Sequence, residues 1–519
     1  MFYMTTPAEE NQPLLHQNSR NNRPKRVILL IALVIGITGI AGGLIGLPFV
    51  RLIEDAICQE YYASKPGRAE GSVSLFGVDE AHCKVDAVQS RLAYILAIQE
   101  MLDAIAGKLK GPFASYRVDE QSLQVSLSPF RMVWLLTGKS FGPNSLNERL
   151  SNDVTTESVL ALAFLGITLA GCWAGLVVWQ HGYLPTWTIW FSTAFQIIGG
   201  GPGIPMTMIY TMITDVQVEA KRTNTFFYIS VCGMIADLLA PTLAASLMTI
   251  SPWLPFIIGI SAMTFAMLLT ILIPETYHTR TQTAFLASEA SHEVQPKDSG
   301  ILQQFGQITA MFKSRSLCLI FISFVGEQLI LKNSAFAMRY VSKRFSWPLS
   351  RFGYFMSVRA LVGILVYLLI LPRLSSFIQH KFALTSLCRD LTLARMTGIV
   401  LVAGLFLAAG PTLGCVLAGL LLVTIGSSST TICRSIAAHF VDERHVASMY
   451  TFLNLLNTAG AILASPLLAS TFVLGMKWGR DWQGLPYLCL GFLGTISATA
   501  LFLIRQSTSR TEEAATGEH

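Results

Sequence analysis

Apolar runs recur along almost the whole chain and alternate with shorter polar stretches. Most runs are about 20 residues long, the length that an α-helix needs to cross a hydrocarbon core about 30 Å thick. They lack the two-residue alternation of barrel strands, and a single helix satisfies its own backbone hydrogen bonds in lipid. The pattern therefore predicts an all-α integral membrane protein.

The runs predict twelve spans, six in each half of the chain. Their residues are 27–50, 88–107, 158–180, 184–214, 225–250, 253–273, 316–336, 352–371, 393–410, 413–434, 448–473 and 486–504. The composition agrees, because only 13% of the 519 residues are charged, against about 25% in soluble proteins. The basic segment 23–26 leads into a first run that is too long for a cleavable signal peptide, so we expect this run to remain as an anchor.

The distribution of lysine and arginine predicts the orientation of the spans. With an even number of spans both termini lie on one side, and the connections on that side carry most basic residues. These are Lys221, Arg222, Arg280, Lys313, Arg315, Arg373, Lys381, Arg389, Arg395 and Arg444, together with the cluster at residues 20–26. Arg339, Lys343, Arg344 and Arg351 lie on the other side. The bias favours cytoplasmic termini and explains the net charge of +6 without nucleic-acid binding.

A polar segment, residues 275–315, is predicted to be a cytoplasmic linker. It separates an N-terminal bundle of six helices (27–274) from a C-terminal one (316–505), with cytoplasmic tails at 1–26 and 506–519. Two patterns recur at nearly the same offset: Ile198-Gly199 with Asp215 matches Ile425-Gly426 with Asp442, and Ala240-Pro241 matches Ser465-Pro466. The repeat predicts a duplication, with two pseudo-symmetric bundles around a central cavity.

Several short motifs follow one another in a specific order. They are Cys58-Gln-Glu-Tyr61-Tyr62, Cys83 with Val88-Gln89, Gly199-Gly200-Gly201, Asp215-Val-Gln-Val-Glu219-Ala-Lys-Arg222, Pro274-Glu275-Thr276, Tyr340-Val-Ser-Lys343-Arg344-Phe345 and Asp390-Leu-Thr-Leu-Ala394-Arg395. In this order they resemble the major facilitator superfamily, and specifically a fungal branch of it, over most of residues 27–504. The resemblance implies the twelve-helix major facilitator fold and secondary transport by alternating access.

The segment 108–157 departs from that family. The family's loop after the second span carries Gly, then Asp-Arg, then Gly-Arg-Arg, and nothing in this segment matches it. A connection of about ten residues is typical of such bundles, so the segment is also far too long. Two explanations stay open: a genuine insertion with residues 129–136 at the membrane interface, or an unspliced or misjoined stretch of the gene.

Ionisable side chains inside spans need a reason, because each costs about 2.5–3.5 kcal/mol on insertion scales. Asp237 lies halfway along the fifth span, Glu327 in the seventh and Glu100 in the second. A carboxylate shielded from water can take up and release a proton near neutral pH. These three are proton-coupling candidates, with Asp237 first because no basic residue lies within helical reach. A structural ion pair, such as Glu327 with Arg359, is the alternative.

Charged clusters at the cytoplasmic helix ends are interpreted as gate elements. Acidic groups beside the N-terminus of the fifth span meet the positive end of its dipole, and a basic neighbour can pair with another loop in one conformation only. The gate candidates are Asp215, Glu219, Arg222, Asp390, Arg395 and Asp442. Ordinary charged helix ends that fix the topology are the alternative.

Polar residues on the inner spans are candidates for lining a substrate cavity. They are Thr207, Thr211, Arg359, Ser428, Arg434, Asn454 and Asn457. Mixed with Phe, Tyr and Met, they favour an amphipathic organic molecule, and Arg359 would attract an anionic group.

Two signals concern the cell compartment. Cys58 and Cys83 fall in the first external loop, where the secretory pathway would oxidise them to a disulfide. Residues 10–15 fit an acidic dileucine sorting signal. The protein is therefore expected in the plasma membrane or in the vacuolar or endosomal membrane.

The glycine-rich stretches do not point to an enzyme. Gly199–Gly203 lies inside a span and lacks the Lys-Ser/Thr ending of a phosphate loop, which favours close packing or a helix break. The stretch Gly138-Lys139-Ser140 has Val133 where a nucleotide-binding loop needs its first glycine. We expect no catalytic centre, no cofactor and no metal site.

Taken with the resemblance, these features predict proton-coupled efflux of a secondary metabolite or toxic compound. The expected partners are the small-molecule substrate, protons and the lipid bilayer, and the protein is expected to be a monomer. Nutrient uptake by symport is one alternative. A non-transporting receptor or inactive relic, suggested by the missing gate motif, is the alternative from another class.

Overall fold

The computed structural model describes residues 14–64, 73–74, 77–109, 156–201, 203–217, 219–273, 315–331, 333–382, 385–441 and 446–504. The predicted linker 275–314, the tails 1–13 and 505–519, Asp442 and most of the anomalous segment, residues 110–155, lie outside these ranges.

Twelve helical segments in the described ranges follow the predicted order. They are α1 Leu14–Ala63, α2 Asp86–Leu109, α3 Thr156–Trp179, α4 Ser192–Gly199 and Ile204–Val216, α5 Glu219–Met248, α6 Trp253–Ile271, α7 Arg315–Leu331 and Asn333–Phe345, α8 Leu349–Leu365, Val366–Ile370 and Leu371–Phe382, α9 Ser386–Ala408, α10 Leu413–Gly426 and Ser429–His439, α11 Val446–Trp478 and α12 Leu485–Leu503. The two parts of α4, α7 and α10 are called a and b, and the middle part of α8 is a π-helical turn.

Nine of these helices, counted over the described residues, are long and apolar enough to cross a membrane. A tenth is added if the two parts of α7, bent by 48°, form one span. The other two are α2, which carries Arg91, Glu100 and Asp103 in its middle, and α4, which is broken after Gly199. The multi-pass helical architecture is confirmed, and the full count of twelve spans stays a prediction.

The loop between α1 and α2 departs from the all-α prediction by a small antiparallel hairpin. Its strands are β1 (Val73–Ser74) and β2 (Gly77–Val78). A single 3-10 turn, Glu80–Cys83, then leads into α2. A disulfide joins Cys58, near the end of α1, to Cys83 and so ties this turn covalently to α1.

The fourth helix of each half breaks at the same repeat position. α4a ends at Gly199 and α10a at Gly426, the glycines of the recurring Ile-Gly pair. After α4a, Gly200 and Gly201 adopt φ angles of 81° and 85°, which glycine reaches without steric cost. The prolines of the second pattern, Pro241 and Pro466, both lie inside long helices, α5 and α11. The repeated sequence therefore marks equivalent structural positions, as a duplication predicts.

Helices α1 to α6 form the N-terminal half of the bundle and α7 to α12 the C-terminal half. The end at which α1 enters the bundle, near Val27, and at which α12 leaves it, near Ile504, is called the tail end. The opposite end carries the Cys58–Cys83 bridge and is called the disulfide end.

The two halves share an apolar core at the disulfide end and have separate cores at the tail end. In the shared core Leu44 and Ala244 of the N-terminal half pack with Phe336 of the C-terminal half. At the tail end one core, around Ile31, contains only residues of the N-terminal half, and another, around Phe321, only residues of the C-terminal half. The halves are therefore joined at one end of the bundle.

Gly419→Leu is expected to destabilise the packing of α10 against α9. A Cβ at residue 419 would lie 2.4 Å from the backbone nitrogen of Ala408, and overpacking of this kind typically costs about 1–3 kcal/mol. Thermal unfolding of the purified protein in detergent should show a lower midpoint. Gly414→Leu is the control, since residue 414 is in the same helix with open space around it. Equal midpoints for the two variants would contradict the packing described.

Candidate functional site

Polar contacts join the two halves toward the disulfide end. Arg339 of α7b forms an ion pair with Glu100 of α2 at 3.3 Å, and the Ser465 hydroxyl of α11 donates to the same carboxylate. The Thr242 hydroxyl of α5 donates to that of Ser357 in α8 at 2.7 Å. Arg339 is only 6% exposed, so its charge depends on Glu100 for compensation.

The turn before α2 adds a second set of contacts between the halves. Glu80 accepts hydrogen bonds from the Ser342 hydroxyl at 3.3 Å and from the backbone N–H of Leu349 at 3.0 Å. Lys343 forms an ion pair with Asp86. The segment tied down by the disulfide therefore docks on the connection between α7 and α8.

Glu54 of α1 holds this turn in place from within the N-terminal half. It is 1% exposed, and its carboxylate accepts from Lys84 at 2.7 Å, from Gln89 at 2.6 Å and from Arg51 at 3.1 Å. Two cations and one amide thus surround a buried charge, which is the condition under which such burial is tolerated. Glu54 was not predicted from the sequence, where the available signal was an acidic residue four positions before Cys58.

The bundle is closed at the disulfide end and open at the tail end. The shared core and the contacts between the halves in the described ranges lie toward the disulfide end. At the tail end the apolar cores of the described helices each contain residues of one half only. A central cavity reached from the tail end follows from this arrangement.

Glu327 of α7a lies in a polar pocket inside the C-terminal half. It is 2% exposed, its Oε1 accepts a long hydrogen bond from the Cys433 thiol at 3.8 Å, and its Oε2 has no partner among the described residues. Ser429 and Thr430, in the first turn of α10b, lie beside the carboxylate. The ion pair with Arg359 that the sequence left open is not formed.

Asp237 lies on the cavity side of α5. The exposed apolar residues Ile235, Leu239 and Leu243 form one stripe of this helix. At about 100° per residue, Asp237 points away from that stripe. Its side chain is exposed and forms no ion pair within the part of the chain that the structure describes. A carboxylate that is exposed on the inner side of the helix is in contact with the cavity.

Asp103 is an acid that sequence reasoning did not place among the sites. It lies almost one turn after Glu100 in α2 and accepts hydrogen bonds from Gln99 at 3.0 Å, Thr193 at 2.8 Å and Gln196 at 3.1 Å. All three donors are neutral. The only signal in the sequence was a second acid in the same span, since the donors on α4 are ninety residues away.

The wall that α4b forms on its exposed side contains Thr207 and Thr211. Both lie on the exposed face of α4b, next to Met206 and Tyr210. Their hydroxyls bond to carbonyls of their own helix, at 3.1 and 3.0 Å. The Tyr210 ring packs edge-on against Phe226, with the ring centres 5.4 Å apart. This wall therefore offers aromatic and thioether surface.

The C-terminal wall contains a cavity of about 530 Å³ at the tail end. It is lined by Thr431, Arg434, Ser435 and His439 of α10b and by Tyr450 of α11. The Arg434 guanidinium lies 5.5 Å from the centre of the Phe324 ring. Arg434, one of the predicted cavity residues, thus brings a positive charge to this wall among the described residues.

The remaining predicted cavity residues are placed differently. Asn454 is exposed on α11 and Asn457 is half-buried. Ser428 is fully buried and donates to the Ile425 carbonyl at 2.9 Å. The break in α10 turns this hydroxyl back onto its own helix, so Ser428 does not line the cavity in this structure.

Arg359 lies on the inner side of α8. The exposed apolar residues Val358, Leu361 and Leu365 form the outer stripe of this helix. The Arg359 Nε donates to the Thr424 hydroxyl of α10a at 3.0 Å, and no ion pair to an acid is formed in the described ranges. Arg359 therefore brings a positive charge to the inside of the C-terminal half.

Two of the predicted gate residues have contacts within the C-terminal half. Asp390, 8% exposed, forms an ion pair with Arg389 at 2.8 Å and accepts from Ser435 at 3.4 Å. Arg395 donates to the last carbonyls of α12, those of residues 501 and 504, at 3.2 and 3.0 Å, and so caps that helix. The side chains of the other gate candidates, Asp215, Glu219, Arg222 and Asp442, lie outside the described part of the structure.

The chain matches the sequence model of the Major Facilitator Superfamily over residues 146–464, which is more than half of its length. It is 27% identical to the efflux pump ustT of Aspergillus flavus over 506 residues, covering 94% of this chain and 90% of that protein. It is 26% identical to the MFS efflux pump atnC of Emericella nidulans over 502 residues, with the same coverage.

Solved transporter structures have a similar fold. The nucleoside transporter NupG gives a TM-score of 0.55 at 15% identity, covering 92% of this chain and 100% of that one. A D-xylose-proton symporter gives 0.57 at 13% identity, covering 93% and 99%. At such identities the likeness shows the fold alone.

Arg339→Gln is expected to weaken the closed disulfide end. A hydrogen bond to a charged group is worth about 1.5–3 kcal/mol, so its loss should populate a state that is open at this end. Nitroxide labels at Ala87→Cys and Arg351→Cys, both exposed positions at this end and one in each half, would report a longer distance by electron paramagnetic resonance. The labelled protein would have its free cysteines replaced by alanine.

Arg91→Gln is the matched control for this experiment. It removes an ion pair with Glu60, 2.6 Å long, that lies within the N-terminal half at the same end. The distance distribution should then stay that of the parent protein. If Arg339→Gln also leaves it unchanged, Arg339 does not hold the halves together.

Proposed function

Since this chain belongs to the Major Facilitator Superfamily, we propose that it is a secondary active transporter that exports a small amphipathic organic molecule by alternating access. The observation that carries the proposal is the uneven joining of the two halves. They share a core and polar contacts at the disulfide end and keep separate cores at the tail end. Rocking of the halves about a central site would move the opening from one end to the other.

The proposed orientation places the tail end in the cytoplasm. The Lys/Arg bias supports this, as does the Cys58–Cys83 disulfide, which needs an oxidising compartment. The structure would then be open to the cytoplasm, the side from which an exporter loads. Both termini would be cytoplasmic, in the plasma membrane or in a vacuolar or endosomal membrane.

Export rather than uptake is supported by the relatives ustT and atnC, both named as efflux pumps. The aromatic and thioether surface around Tyr210 and the polar wall around Arg434 suit an amphipathic substrate. We propose a monomer without enzymatic activity, in which bundles 27–274 and 316–505 move about the linker 275–315.

Protons are the proposed coupling ion, and Glu327 has the strongest structural support among the three candidates. It is buried, with one carboxylate oxygen that has no partner in the described part of the chain. Burial of an uncompensated charge is costly, and proton uptake would neutralise it. Asp237, in contact with the cavity, is the second candidate. Glu100 is already paired with Arg339.

The gate candidates would act when the tail end closes. Asp215, Glu219, Arg222 and Asp442 would then meet across the halves and replace the contacts that open at the disulfide end. Asp390 and Arg395 hold α9 to α10 and α12, so they would move with the C-terminal half as one body.

Glu327→Gln is expected to abolish the response of transport to a proton gradient while leaving substrate exchange intact. Glutamine preserves the size of the side chain but cannot take up a proton. The measurement is uptake of a fluorescent amphipathic anion, 8-anilinonaphthalene-1-sulfonate, into inside-out vesicles, with and without an acidic lumen. The wild type should accumulate more dye when the lumen is acidic, and the variant should not.

Three outcomes of this experiment are decisive. A full gradient response in Glu327→Gln would rule out this residue as the coupling acid, and Asp237→Asn, measured in parallel, would test the next one. A wild type that transports the dye without responding to the gradient would exclude proton coupling. Absence of any wild-type transport of this dye and of a panel of other amphipathic compounds would count against an exporter.

Sequencing of the transcript across codons 105–160 tests the relic alternative. We expect a spliced form that shortens the segment 108–157 and restores the family's Asp-Arg and Gly-Arg-Arg loop. Translation of the long segment in the main transcript would instead favour an inactive protein.

A further inference from the structure

The cavity between α10b and α11 is lined by hydrogen-bond donors. Its polar groups are the Arg434 guanidinium, the hydroxyls of Thr431, Ser435 and Tyr450, and the His439 ring. Arginine has only donors, the hydroxyls of Thr431 and Tyr450 and the His439 ring can donate, and the Ser435 hydroxyl donates to Asp390. No carboxylate is among the lining residues in the part of the chain that the structure describes. A site of this composition complements a negative charge.

The charge of Arg434 is not neutralised by a neighbouring acid in the described ranges. Its side chain is exposed, and its recorded contact is with the ring of Phe324. Asp390, which accepts from Ser435, is paired with Arg389 at 2.8 Å. Glu327, close to Phe324 on α7a, is buried and forms no ion pair with Arg434. The guanidinium is therefore available to a ligand.

The cavity faces water rather than lipid. The exposed face of α10b carries Thr431, Arg434, Ser435 and His439, whereas outer helix faces expose apolar residues such as Ile399. With its 530 Å³ volume, the cavity holds more than a single ion. It lies at the tail end, where the bundle is open.

A second arginine extends the positive charge toward the middle of the bundle. Arg359 lies on the inner side of α8, bonds to Thr424 at 3.0 Å and has no acidic partner in the described ranges. The corresponding wall of the N-terminal half offers threonine hydroxyls that are satisfied by their own helix. Positive charge is thus concentrated on the C-terminal side.

From this geometry we propose that the cavity around Arg434 binds the anionic group, a carboxylate or a phosphate, of the amphipathic molecule. Arg434 supplies a charge-assisted, planar set of donors, and the hydroxyls of Thr431 and Tyr450 complete the site. The inference deepens the proposed function and rests on it, since it gives the substrate a negative charge. Arg434 would select anionic over neutral molecules as they enter from the tail end.

The anionic group in this site could come from the substrate or from the headgroup of an anionic lipid. The two sources differ in a testable way, because a lipid would compete with a soluble anion for Arg434. Binding is therefore measured in nanodiscs of phosphatidylcholine alone and in nanodiscs that also contain phosphatidylglycerol.

The test uses two fluorescent probes that differ in one group, pyrenebutyrate and pyrenebutanol. The wild type in phosphatidylcholine should bind the anionic probe at least about tenfold more tightly, the ratio that one charge-assisted bond provides. Arg434→Gln should remove that preference, and Arg434→Lys should keep part of it. Arg373→Gln, the same change at an exposed arginine of α8 outside the cavity, should keep all of it.

Several results would overturn the inference. Equal affinity for both probes, no saturable binding of either, or an unchanged preference in Arg434→Gln would each remove the anion site. If phosphatidylglycerol abolishes binding of pyrenebutyrate to the wild type, the occupant is a lipid headgroup. Uptake of both probes without preference would contradict the anion selectivity and agree with the proposed transport. Selective binding of the anionic probe without uptake of any compound would contradict the proposed transport and agree with the anion site.

Discussion

The junction between the halves at the disulfide end is the interaction on which the rest of the arrangement depends. Within a membrane the halves gain little by burying apolar surface against each other, because lipid is as apolar as a protein core. Close packing around Phe336 and polar bonds at Glu100 and Glu80 must therefore hold them together. Such bonds are individually modest. A junction of this kind can favour the state that is closed at the disulfide end and still allow that end to open.

Four carboxylates on α1, α2 and α7 differ in how well their charge is compensated by neighbouring groups. Glu54 has two cations and an amide, which suits a fixed support for the turn before α2. Glu100 has Arg339 across the junction, so its compensation depends on the halves being together. Asp103 has three neutral donors. Glu327 has only a thiol hydrogen bond in the described ranges, so its charge is the least compensated of the four.

The duplication preserved the backbone and changed the chemistry. Both fourth helices break after an Ile-Gly pair, and both fifth helices carry an internal proline. Yet the cavity wall on α4b is aromatic and thioether-rich, whereas that on α10b carries Arg434. In the proposed exporter these two faces would together suit a molecule with an apolar body and a charged end.

The sequence by itself determined the membrane class, the order of the helices and the repeat, and it limited Gly199–Gly203 to close packing or a helix break. These features depend on local properties: apolar length, glycine conformation and spacing. Which groups the charged side chains contact was decided by the tertiary structure alone. Arg339 lies on the side of the membrane where the Lys/Arg bias predicts few basic residues. Its ion pair with Glu100, which lies 239 residues earlier in the chain, appears only when α7 packs against α2. Arg395 resembled a gate residue, and its hydrogen bonds to the end of α12 become visible only in the folded chain. The energy of a charge in a membrane protein depends on what surrounds it, and helices that are remote in the chain supply those surroundings.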